Sequence, residues 1–214
     1  MSIRRDWQLP REHGAYGMLY VPYALGCFTA RRFTMATLAL GVAVTFFFFA
    51  RAPLLNWCRA RHARKDPGPA PRLSLLYLGI AGAALLPLFL LSRLWLLAPI
   101  GAVAIVLLAV NTWKSLHHEE RSIPGELLAI AGLSLSAPAA YYATTATWPA
   151  EATGLWLLCN LYFASSVLYV KLRVVSAHER TPGDCDRMRI VCGVYHTAMA
   201  ALLLAAVAIR SQQP

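Results

Sequence analysis

An all-α, polytopic transmembrane helix bundle is the fold class this sequence predicts, and three observations predict it. Hydrophobic residues make up 58% of the 214 and charged residues only 14%, against roughly 45–50% and 25% in a soluble globular domain. Seven runs of 18 to 24 residues contain no Asp, Glu, Lys or Arg. The basic residues between those runs fall mostly on alternate connections, which is how the charge of loops orients a membrane protein. A helix needs about 20 apolar residues to cross a hydrocarbon core of about 30 Å. The composition excludes disorder, a collagenous chain and a small disulfide-stapled scaffold.

Taken in order, the spans lie near 13–30, 33–50, 73–92, 94–113, 124–145, 152–170 and 190–209, within a single transmembrane domain covering 1–214. The first carries Pro22 and starts after the charged first twelve residues. The second includes Phe46-Phe47-Phe48-Phe49, which in a strand would put apolar rings on both faces, so a membrane β-barrel is not indicated. Only Arg31-Arg32 separates spans one and two, and only the Ser92-Arg93 region separates three and four. Each pair is therefore a tight hairpin or one long broken helix. Pro87, Pro99 and Pro138 are expected to kink their helices. The stretches 51–72 and 171–189 read as the two longest polar loops. Six or eight spans also fit the charges.

With the N-terminus cytoplasmic and the C-terminus outside, 16 of the 20 Lys and Arg residues fall on the inner side and four (Arg31, Arg32, Arg93 and Arg210) on the outer side. The reverse orientation reverses that ratio, so the inward N-terminus is expected. The same asymmetry accounts for the net charge of +10, leaving no reason to invoke nucleic acid. No cleavable signal peptide is evident. The five cysteines form no C-x-x-C pair and read as small packing residues; no residue set points to a metal or to a particular cofactor.

Topology explains lysine and arginine at inner helix ends, but it does not require histidine or acids there. Five histidines (His13, His62, His117, His118 and His178) and nine of ten acids lie on the inner side, and His196 lies about 10 Å into the last span at 1.5 Å per residue. Glu12 and His13 sit where span one enters lipid, and Glu126 opens span five after Pro124-Gly125. An ionisable group at membrane depth is costly and is a functional candidate by default. Asn111, Lys114 or Ser115, and His118 recur on one helical face, as do Tyr162, Ser165 or Ser166, Tyr169 and Arg173 on span six. Both semi-polar stripes are expected to turn into the bundle. They would line an inward-facing basic cavity between spans one, four, five, six and seven.

The run Pro10-Arg11-Glu12-His13-Gly14-Ala15-Tyr16-Gly17-Met18-Leu19, followed by Val21-Pro22 and Leu25-Gly26, resembles the opening of the YwiC-like family of bacterial membrane proteins. Gly125-Glu126-Leu127-Leu128-Ala129, Ala137-Pro138-Ala139-Ala140-Tyr141-Tyr142 and Tyr169-Val170-Lys171-Leu172-Arg173 look similar to that family as well. The resemblance implies a multi-pass protein of the bacterial cytoplasmic (inner) membrane and carries no activity over. A more distant similarity is to the UbiA-type prenyltransferase fold, whose loops after the second and sixth spans hold Mg²⁺ and an isoprenoid diphosphate through Asp-rich motifs. Here those segments offer Asn56 and Asp66, then Glu179, Asp184 and Asp186, without the spacing that lets carboxylates bridge metal ions to a diphosphate. That departure argues against Mg²⁺-dependent prenyl transfer.

The expected function is binding of, or action on, an anionic amphiphile such as a lipid or isoprenoid-type molecule, with membrane lipid as the surrounding partner. Glu12 and His13 are the candidate catalytic pair, one as general base. Asn111, Lys114, His118, Glu126, Lys171, Arg173 and His196 are the candidate substrate-binding residues. A small transporter and a non-catalytic assembly or scaffold subunit are the alternatives, and the sequence does not set the oligomeric state.

Overall fold

The computed structural model describes residues 8, 10, 13–117, 122–177 and 182–211. Glu12, His118 and the side chain of His13 lie outside that part. Every regular element among the described residues is helical: α1 (His13–Thr29), α2 (Met35–His62), α3 (Ala70–Leu90), α4 (Leu97–Leu116), α5 (Ile123–Ser134), α6 (Ser136–Thr145), α7 (Ala150–Ala177) and α8 (Pro182–Ser211). Six described stretches are long and apolar enough to cross a membrane: α2, α3, α4, the α5–α6 pair, α7, and Cys185–Ala205 within α8. At 17 residues α1 is shorter than these.

Charge-free runs mark where charge begins, not where helix ends, and this corrects two expected loops. Helix α2 continues through the basic stretch to His62, and the connection to α3 shrinks to residues 63–69. Arg, Ala and Leu favour helix, and the chain turns only where Asp66-Pro67-Gly68-Pro69 supplies breakers. Likewise α7 runs to Ala177 and α8 already starts at Pro182. Both ambiguous pairs are tight hairpins. Arg31 and Arg93 take left-handed backbone (φ 55° and 50°), the conformation that commonly terminates a helix. A capping box then starts α2: the Thr34 side chain accepts from Thr37 N–H and the Thr37 hydroxyl oxygen accepts from Thr34 N–H.

Span five is broken at Leu135, and Pro138 explains the break. Proline has no N–H to give to the Ser134 carbonyl, and its ring crowds that same carbonyl. Ser136, at the start of α6, instead donates its hydroxyl across to the Leu19 carbonyl of α1 (2.8 Å).

Two compact units are present, residues 1–159 and 160–214. In the first, α2 packs most extensively with α3, α1 with α6, and α4 with α5. The α1–α6 crossing is built from small residues. A Cβ on Gly26 would land on the Ala137 carbonyl oxygen and 3.0 Å from Ala140 Cβ, so the helices meet almost backbone to backbone, as small residues permit in membranes. Cys27, 1% exposed, packs there with Leu40, Leu88, Ala139, Ala140 and Ala143. In the second unit, the later part of α7 and α8 form a hairpin in which Tyr195 donates to the Leu161 carbonyl (2.7 Å) and the Ser176 hydroxyl meets the Cys185 thiol (3.4 Å).

Candidate functional site

Polar groups of the first unit gather at one end, which holds the start of α1, the end of α2, the end of α4 and the start of α5. Ring contacts of Tyr16 with Phe48 and Phe49 (centroids 5.1 and 6.4 Å apart) set the start of α1 beside α2. The Tyr16 hydroxyl donates to the Pro10 carbonyl (3.1 Å), and Asn56 Nδ2 of α2 donates to Gln8 Oε1 (2.9 Å). Those two bonds hold Gln8 and Pro10, which precede the Glu12–His13 motif in sequence. His13 itself opens α1.

The centre of this end is a three-helix network. Arg51 Nη2 of α2 donates to Asn111 Oδ1 of α4 (3.2 Å), and Asn111 Nδ2 donates to the Gly125 carbonyl of α5 (3.3 Å). Asn111 is 5% exposed, so its amide uses both ends, one as acceptor and one as donor, inside the bundle. One turn further along α4, Arg59 Nη2 donates to the Ser115 carbonyl (3.3 Å). That carbonyl belongs to the last turn of α4, where the helix has no partner of its own for it and a cation is favoured by the helix dipole. Arg51 lies 16 residues into α2, about 24 Å along its axis. By helical phase it shares the face of buried Leu40 and Phe48. Its position places it near the far end of a hydrocarbon core of about 30 Å, turned to protein and hydrogen-bonded to Asn111.

The α5 start is not a ready anion site. Ser122 caps it by accepting from Gly125 N–H (3.2 Å), Pro124 has no N–H to offer, and Glu126 N–H is bonded to the Ser122 carbonyl. Glu126 places an acid in the first turn, where the dipole favours it.

Of the sequence-predicted binding residues, the structure brings Asn111, Lys114 and Glu126 to this end, and the Asn111–Ser115 stripe turns inward as its spacing predicts. Lys171, Arg173 and His196 belong to the second unit. The expectation for the α7 stripe fails: Tyr162 and Tyr169 are 61% and 55% exposed, and Arg173 is exposed, while the small and branched Ala164, Val167 and Leu168 take the buried face. His196 is half-buried, and its Nδ1 is hydrogen-bonded to the Cys192 carbonyl of its own helix (2.7 Å). That local bond supplies the partner its depth requires. Glu12, His118 and the side chain of His13 lie outside the described residues. Sequence reading missed Arg51 and Arg59 by assigning them to a loop; the signal was available, because nothing between Ala50 and His62 except Pro53 interrupts a helix.

Away from this end, a cavity of about 310 Å³ opens between α1 and α2, lined by Tyr20, Tyr23, Leu38, Val42, Thr45 and Phe46 among others. Its hydroxyls are engaged: Tyr20 with Thr45 (3.0 Å), Thr45 with the Gly41 carbonyl (2.7 Å), and Tyr23 with the Thr37 carbonyl. What remains is an apolar wall. No group of three or more His, Cys, Asp or Glu able to hold a metal occurs among the described residues.

Compared with known families, residues 9–141 match the family model described as YwiC-like protein. No curated protein matches the chain, and no solved structure does.

Proposed function

The chain belongs to the YwiC-like family, and from that premise we propose that it is a seven-span protein of the bacterial cytoplasmic membrane that binds or acts on an anionic amphiphile at its basic end. The N-terminus is cytoplasmic and the C-terminus outside in this reading, because 16 of 20 Lys and Arg residues then lie inward. The single observation that carries the reading is the Arg51–Asn111–Gly125 network. Orientation requires cations at inner helix ends, but it does not require one to turn into the bundle and be held by a buried amide.

Arg51, Arg59 and Lys114 grip the anionic headgroup, guanidinium groups matching carboxylate or phosphate geometry two bonds at a time. The hydrocarbon part lies against the helices. Glu12 or His13 serves as general base if a reaction follows binding. Lys171 and Arg173 add positive charge on the inner side and draw anionic headgroups to the surface. A transporter is less well supported: Thr144 and Thr145 in α6 donate to carbonyls of their own helix, which is how hydroxyls behave when they pack and not when they line a path.

The test is native mass spectrometry of the purified full chain titrated with anionic and zwitterionic lipids. The reading expects retained anionic lipid and a loss of about tenfold or more in affinity on Arg51→Gln, the loss of one charge-assisted contact. Equal retention of both lipid classes would overturn it.

A further inference from the structure

Sulfur and imidazole side chains of the second unit fall in a row along one face of α8. Cys185, Met188, Cys192, His196 and Met199 follow one another at spacings of three, four, four and three, which at about 100° per residue puts all five within a sector of about 80°. No other residue between positions 185 and 199 falls in that sector, so every place on it holds a soft donor. Cys, Met and His number only five, five and six among the 214 residues. Packing alone does not ask for this composition, because α7 of the same hairpin buries Ala164, Val167 and Leu168. Sequence reading could not join the row: with span seven beginning near 190, Cys185 and Met188 stood in a loop, whereas α8 is helical from Pro182.

The row is turned to protein. Cys185, Met188 and Cys192 are buried, while His196 and Met199 are half-buried and leave that part of the row accessible. His196 Nδ1 lies 2.7 Å from the Cys192 carbonyl and 3.5 Å from the Cys192 sulfur. The carbonyl accounts for Nδ1 and leaves Nε2 as the nitrogen with the lone pair. A ligating histidine characteristically gives its other N–H to a group such as a backbone carbonyl, which fixes the tautomer and the ring. Met199, one turn on, leans back toward His196, because long side chains on a helix point to its N-terminus.

We propose that Cys192, His196 and Met199 form a binding site for Cu(I), with Met188 and Cys185 continuing the row toward the start of the helix. The thioether supplies the third donor that imidazole, thiol and carboxylate do not provide together among the described residues. Thiolate and thioether ligands select Cu(I), and imidazole suits copper. Charge at membrane depth selects the same ion. Cu(I) displaces the Cys192 thiol proton, which leaves to solvent, and the thiolate–Cu(I) unit is neutral. A divalent ion on the same single thiolate keeps a net positive charge, which is costly there. An ion of two or three ligands lies between its donors and requires no chamber, and methionine's three rotatable bonds let the thioether follow it. Copper stays Cu(I) throughout, so no electron is exchanged. This site belongs to the second unit and does not depend on the anion reading of the first.

The experiment titrates the detergent-solubilised full chain under argon with Cu(I), in competition with bathocuproine disulfonate, and separately with Ag(I) and Zn(II). Native mass spectrometry reads stoichiometry, and copper X-ray absorption reads the ligands. One Cu(I) or Ag(I) per chain is expected, with both sulfur and nitrogen bound to copper and Zn(II) held more weakly. Met199→Leu conserves volume, so its metal-free thermal midpoint should stay close to wild type while Cu(I) affinity falls about tenfold. Cys192→Ser should lower affinity further. Cys58→Ser removes a thiol outside the row and should leave affinity unchanged. The site is wrong if wild type retains no Cu(I), if Met199→Leu binds Cu(I) as wild type does, or if Zn(II) binds more tightly than Cu(I). Copper bound by sulfur alone would exclude His196 and overturn the site even where Cys192→Ser fails to fold.

Discussion

The α1–α6 crossing and the α2–α4 end join helices of the first unit by opposite means. At the crossing, Gly26 approaches the Ala137 carbonyl, Cys27 and Ala140 are almost wholly buried, and shape does the joining. At the α2–α4 end, Arg51, Asn111 and the Gly125 carbonyl join three helices through two hydrogen bonds of 3.2 and 3.3 Å. In lipid there is no hydrophobic drive between helices, so close packing and interhelical hydrogen bonds are the two available devices. A polar device brings costs that packing does not, because every donor and acceptor must be satisfied. One end carries a three-helix network that includes a guanidinium, whereas the crossing adds to its packing the neutral hydroxyl bond of Ser136 to the Leu19 carbonyl, and that difference favours a binding role at the basic end.

The largest effect expected from breaking this comparison is at Gly26. Gly26→Val puts side-chain atoms onto a backbone carbonyl that cannot swing aside, so the α1–α6 pair must separate. Overpacking of this kind costs about 3 kcal/mol, and loss of most folded protein in size-exclusion chromatography is expected. Gly132 is the matched control. A Cβ there meets Leu107 at an ordinary 3.5 Å, so Gly132→Ala should fold as well as wild type or slightly better, since alanine suits a helix interior. Equal tolerance at both positions would contradict the crossing.

This contrast also marks what was legible in the sequence. The all-helical membrane class followed from composition and run length, which report one physical constraint, the thickness of the hydrocarbon core. Helix ends were not legible beyond residue 50, because charge patterning records where the bilayer stops and says little about where Arg51–His62 stops being helical. The inward turn of Asn111 and Ser115 was legible from their spacing of four on an otherwise apolar helix. The same rule failed on α7. Tyr162 and Tyr169 carry long amphipathic rings, which are as well placed on an exposed face as inside. Gly26 could not be weighted above the other glycines, since what singles it out is a carbonyl on a helix more than a hundred residues away. Pairing Arg51 with Asn111, 60 positions apart, likewise needs the tertiary arrangement.

A second intervention sharpens the polar side. Asn111→Asp keeps the shape and still accepts from Arg51, but it loses the donor that Gly125 uses and neutralises the guanidinium. Anionic lipid affinity should fall about tenfold, read by native mass spectrometry, while the protein still folds. A drop in folding as large as that of Gly26→Val would mean the network is chiefly structural.

A smaller effect tests whether hydrogen bonds matter equally wherever they occur. Ser136, 4% exposed, sends its hydroxyl to the Leu19 carbonyl at 2.8 Å within the packed crossing. Interhelical hydrogen bonds in membranes average about 0.6 kcal/mol, so Ser136→Ala should lower the thermal midpoint slightly. It should leave lipid affinity unchanged, in contrast to Asn111→Asp. A loss of lipid binding here would spread the candidate site beyond the basic end.

The smallest effect is expected at His196, the residue whose depth in the last span made it a candidate from sequence. Its Nδ1 lies 2.7 Å from the Cys192 carbonyl and 3.5 Å from the Cys192 thiol, both one turn earlier in α8. The close carbonyl fixes the proton on Nδ1, because an oxygen acceptor there needs a donor. That bond is made within its own helix, so the polar ring at that depth needs no ligand to explain it. His196→Gln keeps a polar side chain and His196→Phe keeps a ring, so neither should change stability by more than about 0.5 kcal/mol. Anionic lipid affinity should stay within twofold of wild type for both. If instead both variants lose lipid binding while His196→Gln retains full stability, the ring's second nitrogen is doing chemistry that the first unit's network does not supply, and the candidate site has been drawn in the wrong unit.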